Sequence, residues 1–226
     1  LPNTKFVFPT GARKETTVFG GKETNSWFDI HTFSDRTVGE KDQIPGLSES
    51  ISYLSTLIKE QVEELIKVGV ERGEARKRIV VGGFSSGAAL AVLGRLSGEW
   101  EIGGGIGGFV GMSGWLPFRA QIDQLPSEVA GGEGRKGKVR GYLRELLSLD
   151  GEGKESEVEK VERGERMKVL LCHGEKDVKV KYEWALQMRK TLEGIGAKVQ
   201  WRSYEGLEHW VCGEEMSDVV AFLRQV

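Results

Sequence analysis

A chain of 226 residues, 38% of them hydrophobic, is long enough to bury one substantial core, so a single domain over residues 1–226 is expected. Its 32 Lys and Arg against 34 Asp and Glu leave a net charge of −2, which excludes a broad basic surface for nucleic acid or anionic lipid. Cys172 and Cys212, with His31, His173 and His209, make neither a disulfide framework nor a zinc spacing, and no stretch approaches a membrane span or a signal peptide. The expectation is therefore a cytoplasmic enzyme with reduced thiols, no metal and no cofactor.

In chain order, the apolar run at residues 5–8 reads as a buried strand. Residues 48–68 follow as an amphipathic helix with Ile51, Leu54, Ile58, Leu65 and Ile66 on one stripe and Ser48 as its N-cap. Residues 78–82, with Ile79, Val80 and Val81 at their centre, predict a second buried strand, and an Ala-rich helix starts just after Ser85. Residues 109–113 predict a further strand behind a Gly-rich approach.

The segment 130–168 breaks this rhythm, being dense in Gly, Lys, Arg and Glu. Its composition predicts a solvated excursion. Within it Val139, Tyr142, Leu143, Leu146 and Leu147 fall at helical spacing, so a short amphipathic helix capping the active site is a second reading. Residues 167–172 return to a buried strand, 182–192 to a helix, 199–204 to a strand and 214–226 to a closing helix. Strands alternating with helices predict an α/β fold with a mostly parallel central sheet covered on both faces.

The chemistry concentrates at Gly83-Phe84-Ser85-Ser86-Gly87, a Gly-x-Ser-x-Gly pattern between a predicted strand and a predicted helix. A serine hydroxyl is a weak nucleophile unless it is exposed beside a base and near donors for an oxyanion. A tight strand-to-helix turn supplies both, with Gly83 and Gly87 removing side chains that would collide and the Ser86 N–H as an oxyanion donor. The base and acid follow the nucleophile in the order Ser, acid, His. His209, in a loop before the last helix, is the expected base, with His173 its competitor. Asp177, in the turn leaving a buried strand, is the expected acid, with Glu175 its rival.

At these residues the chain resembles the acyl-protein thioesterase and carboxylesterase (lysophospholipase-like) branch of the α/β-hydrolases. The likeness rests on Ser26-Trp27-Phe28-Asp29-Ile30, Gly82-Gly83-Phe84-Ser85, Gly114-Trp115-Leu116-Pro117, Cys172-His173-Gly174 with Asp177, and Tyr204-Glu205-Gly206 with His209 and Cys212. It implies a serine hydrolase acting through an acyl-enzyme on carboxylic esters or S-acylated proteins, working as a monomer or weak homodimer. Ser85, Asp177 and His209 take the catalytic roles. Trp27, Trp115, Leu116 and Val180 fall on the substrate side, although core packing explains the tryptophans equally well. A hydrolase-fold binding protein is the alternative of another class. A dienelactone-hydrolase-like enzyme fits poorly, because that relative has Cys at the position of Ser85.

The chain departs from the family's pattern after the nucleophile, where Ser86, Gly87 and Ala88 replace a Gln and two glycines, and in the long charged segment. It also shows no strand ending in a His-Gly turn, the family's source of a second oxyanion donor. That strand belongs between the one resembled by residues 5–8 and the one ending at Ser85. The expectation is that this N-terminal part of the fold precedes Leu1, or that another segment fills its place. Its true loss would cost activity about 100- to 1000-fold.

Overall fold

The computed structural model describes residues 1–101, 105–126, 133–149 and 168–226. The chain opens with an irregular stretch and a small antiparallel hairpin, β1 (Arg13–Thr16) and β2 (Lys22–Asn25), whose connection turns through Gly20 and Gly21 at φ 70° and 77°. Neither strand shows a period-2 apolar pattern, which is why the hairpin was invisible in the sequence.

The long helix α1 (Ile44–Lys67) starts earlier than its apolar stripe suggests, with Pro45 in the first turn, where the missing N–H costs nothing. Ser48 therefore lies inside the helix and caps nothing: its hydroxyl donates to the Leu147 carbonyl at 2.7 Å. Leu47, Ile51, Leu54, Ile58 and Val62 are its buried stripe, while Leu65 and Ile66 are only partly covered. A short helix α2 (Arg72–Lys77), capped by the Glu71 carboxylate on the Glu74 N–H, leads into the central sheet.

That sheet has four parallel strands in the order β3 (Val80–Phe84), β4 (Gly108–Met112), β5 (Lys168–Gly174) and β6 (Lys198–Tyr204). Alternate residues face opposite layers, as a pleated strand requires. Phe109, Val169 and Leu171 join the larger core with α1, α3 (Ser86–Leu96) and α6 (Tyr182–Gly194), whereas Val110, Leu170, Cys172 and Tyr204 pack with Phe222 of α7 (Gly213–Leu223). Both layers of helices are thus present, one much thicker than the other.

Residues 5–8 do not form the predicted strand. They carry no regular structure and pair with no strand among the described residues, and Phe6 and Phe8 stack on each other in solvent, 57% and 87% exposed. An apolar run becomes a strand only when a neighbour meets its backbone groups, and among the described residues none does. Correspondingly, β3 pairs with β4 alone and stands at the sheet edge among the described residues, which leaves Gly82 exposed.

The predicted amphipathic helix in the charged segment exists as α5 (Glu133–Leu146), but it is not a cap. Val139 and Leu143, with Leu147 just beyond, are buried in the main core, and Arg144 reaches Glu99 at 3.3 Å. Glu99 follows the C-terminus of α3, the end remote from Ser85. The rest of the predicted excursion, residues 130–132 and 150–167, lies outside the described residues. Another short helix, α4 (Arg119–Gln124), follows β4. No helix among the described residues is long and apolar enough to cross a membrane.

Candidate active site

β3 ends at Phe84 and α3 begins at Ser86, so Ser85 alone makes the turn between them, at φ 55° and ψ −120°. That conformation is unfavourable for any residue with a Cβ and persists only because both neighbours are fixed. The Ser85 N–H donates to the Met112 carbonyl of β4 at 2.9 Å, and its own carbonyl accepts from Ala88 and Ala89. Gly83 is needed for the turn, since a Cβ there would lie 2.2 Å from the Gly87 carbonyl carbon. The same need was expected of Gly87 and is not found, because a Cβ at Gly87 would meet only Trp27 Nε1, at 3.7 Å. Ser86 is the first residue of α3, so its N–H belongs to the unsatisfied, positively polarised helix start.

The other two groups come from the ends of β5 and β6. His209, in the loop between β6 and α7, places Nε2 3.0 Å from Ser85 Oγ and Nδ1 2.7 Å from Asp177 Oδ2. The carboxylate can only accept, so Nδ1 carries the proton and Nε2 is left to accept from the serine hydroxyl. The Phe84 ring lies 4.7 Å from the imidazole and backs it. Gly174, the last residue of β5, lets the two loops touch: Lys176 N donates to Leu207 O at 2.9 Å across this junction.

Asp177 is 5% exposed and fully engaged. Its Oδ1 accepts from the Lys179 and Val180 N–H groups at 2.9 Å each, while Oδ2 accepts from His209 and stands 3.4 Å from Nε2 of the buried His173. Burial works to raise its pKa, but hydrogen bonds from His173, His209 and Val180 outweigh it and hold the carboxyl well below the usual range. Glu175, the rival acid, is exposed. His173, the rival base, is 0% exposed, with Nε2 2.8 Å from the Val180 carbonyl, and does not face the serine.

The residues expected on the substrate side divide. Trp27 is half-buried with its indole beside the Ser85 turn. Trp115 and Leu116 are 3% and 4% exposed, and line a small cleft of about 100 Å³ with Arg36, Arg119 and Trp184. Val180 corrects its assignment: its side chain is fully buried, and what it offers the site is its main chain, the N–H to Asp177 and the carbonyl to His173.

Sequence reasoning missed Arg36 altogether. Its guanidinium lies 4.4 Å from the Trp115 ring centroid and donates to the Thr32 and Lys179 carbonyls, tying a distant loop to the turn that holds Asp177. Burial lowers its pKa to about 10 against the raising effect of Asp177, leaving it charged at neutral pH. Nothing short of the folded chain links positions 36 and 177.

A parallel sheet bearing a strained serine turn, with a histidine and a carboxylate delivered from successive strand ends, defines an α/β-hydrolase. Within that class the chain belongs to the Phospholipase/Carboxylesterase family, whose model matches residues 1–132 and 154–226. It is accordingly a hydrolase of carboxylic esters or thioesters. Acyl-protein thioesterase 1 of Mycosarcoma maydis is 27% identical over the whole chain, which spans 79% of that protein. Acyl-protein thioesterase 1 of Cryptococcus neoformans is also 27% identical, with 100% of this chain and 81% of that protein covered. Two crystal structures share the fold: Arabidopsis thaliana SOBER1 (TM-score 0.64, 19% identity, 99% of this chain and 84% of that one) and Zea mays acyl-protein thioesterase 2 (0.60, 24%, 96% and 79%).

Proposed function

We propose that this hydrolase removes acyl groups from S-acylated proteins through an ester formed on Ser85. The observation that carries the reading is the unbroken hydrogen-bonded series Ser85 Oγ, His209 and Asp177, at 3.0 and 2.7 Å, at the ends of three parallel strands. The names of the similar thioesterases supply the substrate class.

In the first half-reaction Ser85 Oγ bonds to the acyl carbon while His209 Nε2 takes the hydroxyl proton. Asp177 holds the imidazole in its Nδ1–H form and stabilises the imidazolium. The carbonyl oxygen, now negative, is met by the Ser86 N–H at the start of α3. Collapse breaks the bond to sulfur, and His209 returns the proton to the departing thiolate. Water, deprotonated by the same Nε2, then releases the acid and restores the serine. Trp27, beside the turn, would flank the acyl group, and Trp115 and Leu116 would bound the neighbouring cleft.

Hydrolysis of a palmitoylated peptide, compared with that of a short-chain oxyester, tests the substrate class: the thioester should have the higher kcat/KM. A Ser85→Ala variant should lose about 10⁶-fold in turnover and all labelling by a fluorophosphonate probe. Full activity in that variant ends the proposal.

A further inference from the structure

Arg36 is a buried charge without an acid of its own. It is 7% exposed, and among the described residues it forms no ion pair and its Nε has no hydrogen-bond partner. A cation removed from water in this way is costly, so the contacts it does make must compensate. Its Cζ lies 4.4, 5.1 and 5.8 Å from the ring centroids of Trp115, Phe33 and Trp184, and Nη1 donates to the Thr32 carbonyl at 3.2 Å. Those rings explain why a cation is tolerated here. They do not explain why Nη2 reaches a carbonyl 143 positions away, that of Lys179, at 3.1 Å.

The Lys179 carbonyl belongs to the same peptide group as the Val180 N–H, and that N–H donates to Asp177 Oδ1 at 2.9 Å. A trans peptide is planar, with its C=O and N–H pointing in opposite directions, so holding one aims the other. A charged donor on the carbonyl also polarises the group and makes its N–H the stronger donor. One peptide therefore stands between the guanidinium and the acid of the triad. The ionisable groups around it are engaged elsewhere or face the acid directly. Asp177 is met by the imidazoles of His209 and His173, and Arg36 shares its cleft with Asp35, Glu40 and Arg119. Asp35 accepts from Thr37, Glu40 accepts from the Phe118 N–H and from Gln121, and Arg119 donates to Asp123.

We infer that Arg36 is a positioning residue that acts on Asp177 through the Lys179–Val180 peptide: its guanidinium grips the carbonyl on one side, so that the N–H on the other is aimed at Asp177 Oδ1 and strengthened as a donor. The next carbonyl in the same turn, that of Val180, accepts from His173 Nε2 at 2.8 Å, so the turn is held from both sides. Oδ1 is thereby kept on the backbone and Oδ2 is left to His209. The consequence for turnover rests on the triad reading above, whereas the link from Arg36 to the Val180 N–H does not.

Two variants and one spectroscopic measurement test this. By NMR the Val180 amide proton should resonate well downfield in the wild-type chain, as an N–H on a carboxylate does, and should move upfield in Arg36→Met. That variant should also lower kcat on a short-chain oxyester about 10-fold, as a small misplacement of catalytic groups does. Its acid limb of kcat/KM should move to higher pH, because an Asp177 with a weaker donor holds the His209 imidazolium more tightly. Arg36→Gln, neutral but still able to donate to the Lys179 carbonyl, should fall between wild type and Met in each readout, and it carries the test if the Met variant does not fold. An unmoved Val180 amide proton overturns the inference. So does a loss confined to KM or melting temperature with the wild-type pH profile, which would make Arg36 only a brace for the cleft. Full activity in Ser85→Ala would sink the triad reading alone, since the amide shift needs no turnover.

Discussion

The last residue of β5, Gly174, lies so close to the loop that carries His209 that a Cβ on it would fall 2.3 Å from the Leu207 carbonyl oxygen. Two strand-end loops are thereby pressed together, and Asp177 from one meets His209 from the other. Gly174→Ala should force them apart and lower kcat about 100-fold, since catalytic groups displaced by about 1 Å lose that much. Ester hydrolysis alongside circular dichroism checks it: the fold should survive, at a cost of about 1 to 3 kcal/mol for the overpacked contact.

The two glycines flanking Ser85 should behave differently. Gly83→Ala places a methyl 2.2 Å from the Gly87 backbone and should abolish activity or folding. Gly87→Ala meets nothing closer than 3.7 Å and sits in a helix, so it should keep near-wild-type activity and stability. Parallel thermal melts and kinetics on the pair decide the matter, and equal damage from both would show that the turn is built otherwise.

Replacing Asp177 by Asn keeps the shape but lets the side chain donate, so His209 can turn its proton toward the serine. Turnover should drop by about 10⁴-fold while labelling by a serine-directed probe slows without a change of labelled residue. Mass spectrometry of the labelled chain identifies that residue.

Stability should respond to pH with opposite signs at two buried carboxyls. The pKa of Asp177 is depressed in the folded state, so its contribution is present above the unfolded value, about 3.9, and is lost on acidification below it. Glu215 is raised to about 7, so its contribution is complete below the unfolded value, about 4.3, and is lost as the pH climbs through 7. Urea unfolding across this range should give falling stability between about pH 4.5 and 7 from the Glu215 term, and Glu215→Gln should flatten that limb.

What the amino-acid order conveys about this molecule depends on how local the deciding interaction is. Val169, Leu170 and Leu171 are buried on both faces of β5, so an unbroken apolar run was enough to mark the strand. The serine turn was equally plain, because Gly83, Ser85 and the helix start are neighbours in sequence. Residues 5–8 have the same apolar character yet no partner among the described residues, and composition does not say which neighbour a run will meet. Arg36 reaches the turn that holds Asp177 across 141 positions of chain (177 − 36), with no local pattern to announce the meeting. Ser48 had the right chemistry for a cap but was overruled by Pro45, which lets the helix begin a turn sooner.

The backbone of Ser85, held at φ 55° and ψ −120°, sets durability against activity at one position. Conformations of this kind cost about 1 to 3 kcal/mol in any residue but glycine. A Ser85→Gly chain should therefore match or exceed the wild-type melting temperature while hydrolysing nothing. Selection for heat resistance alone would discard this serine, and on the proposed mechanism only a demand for turnover keeps it there.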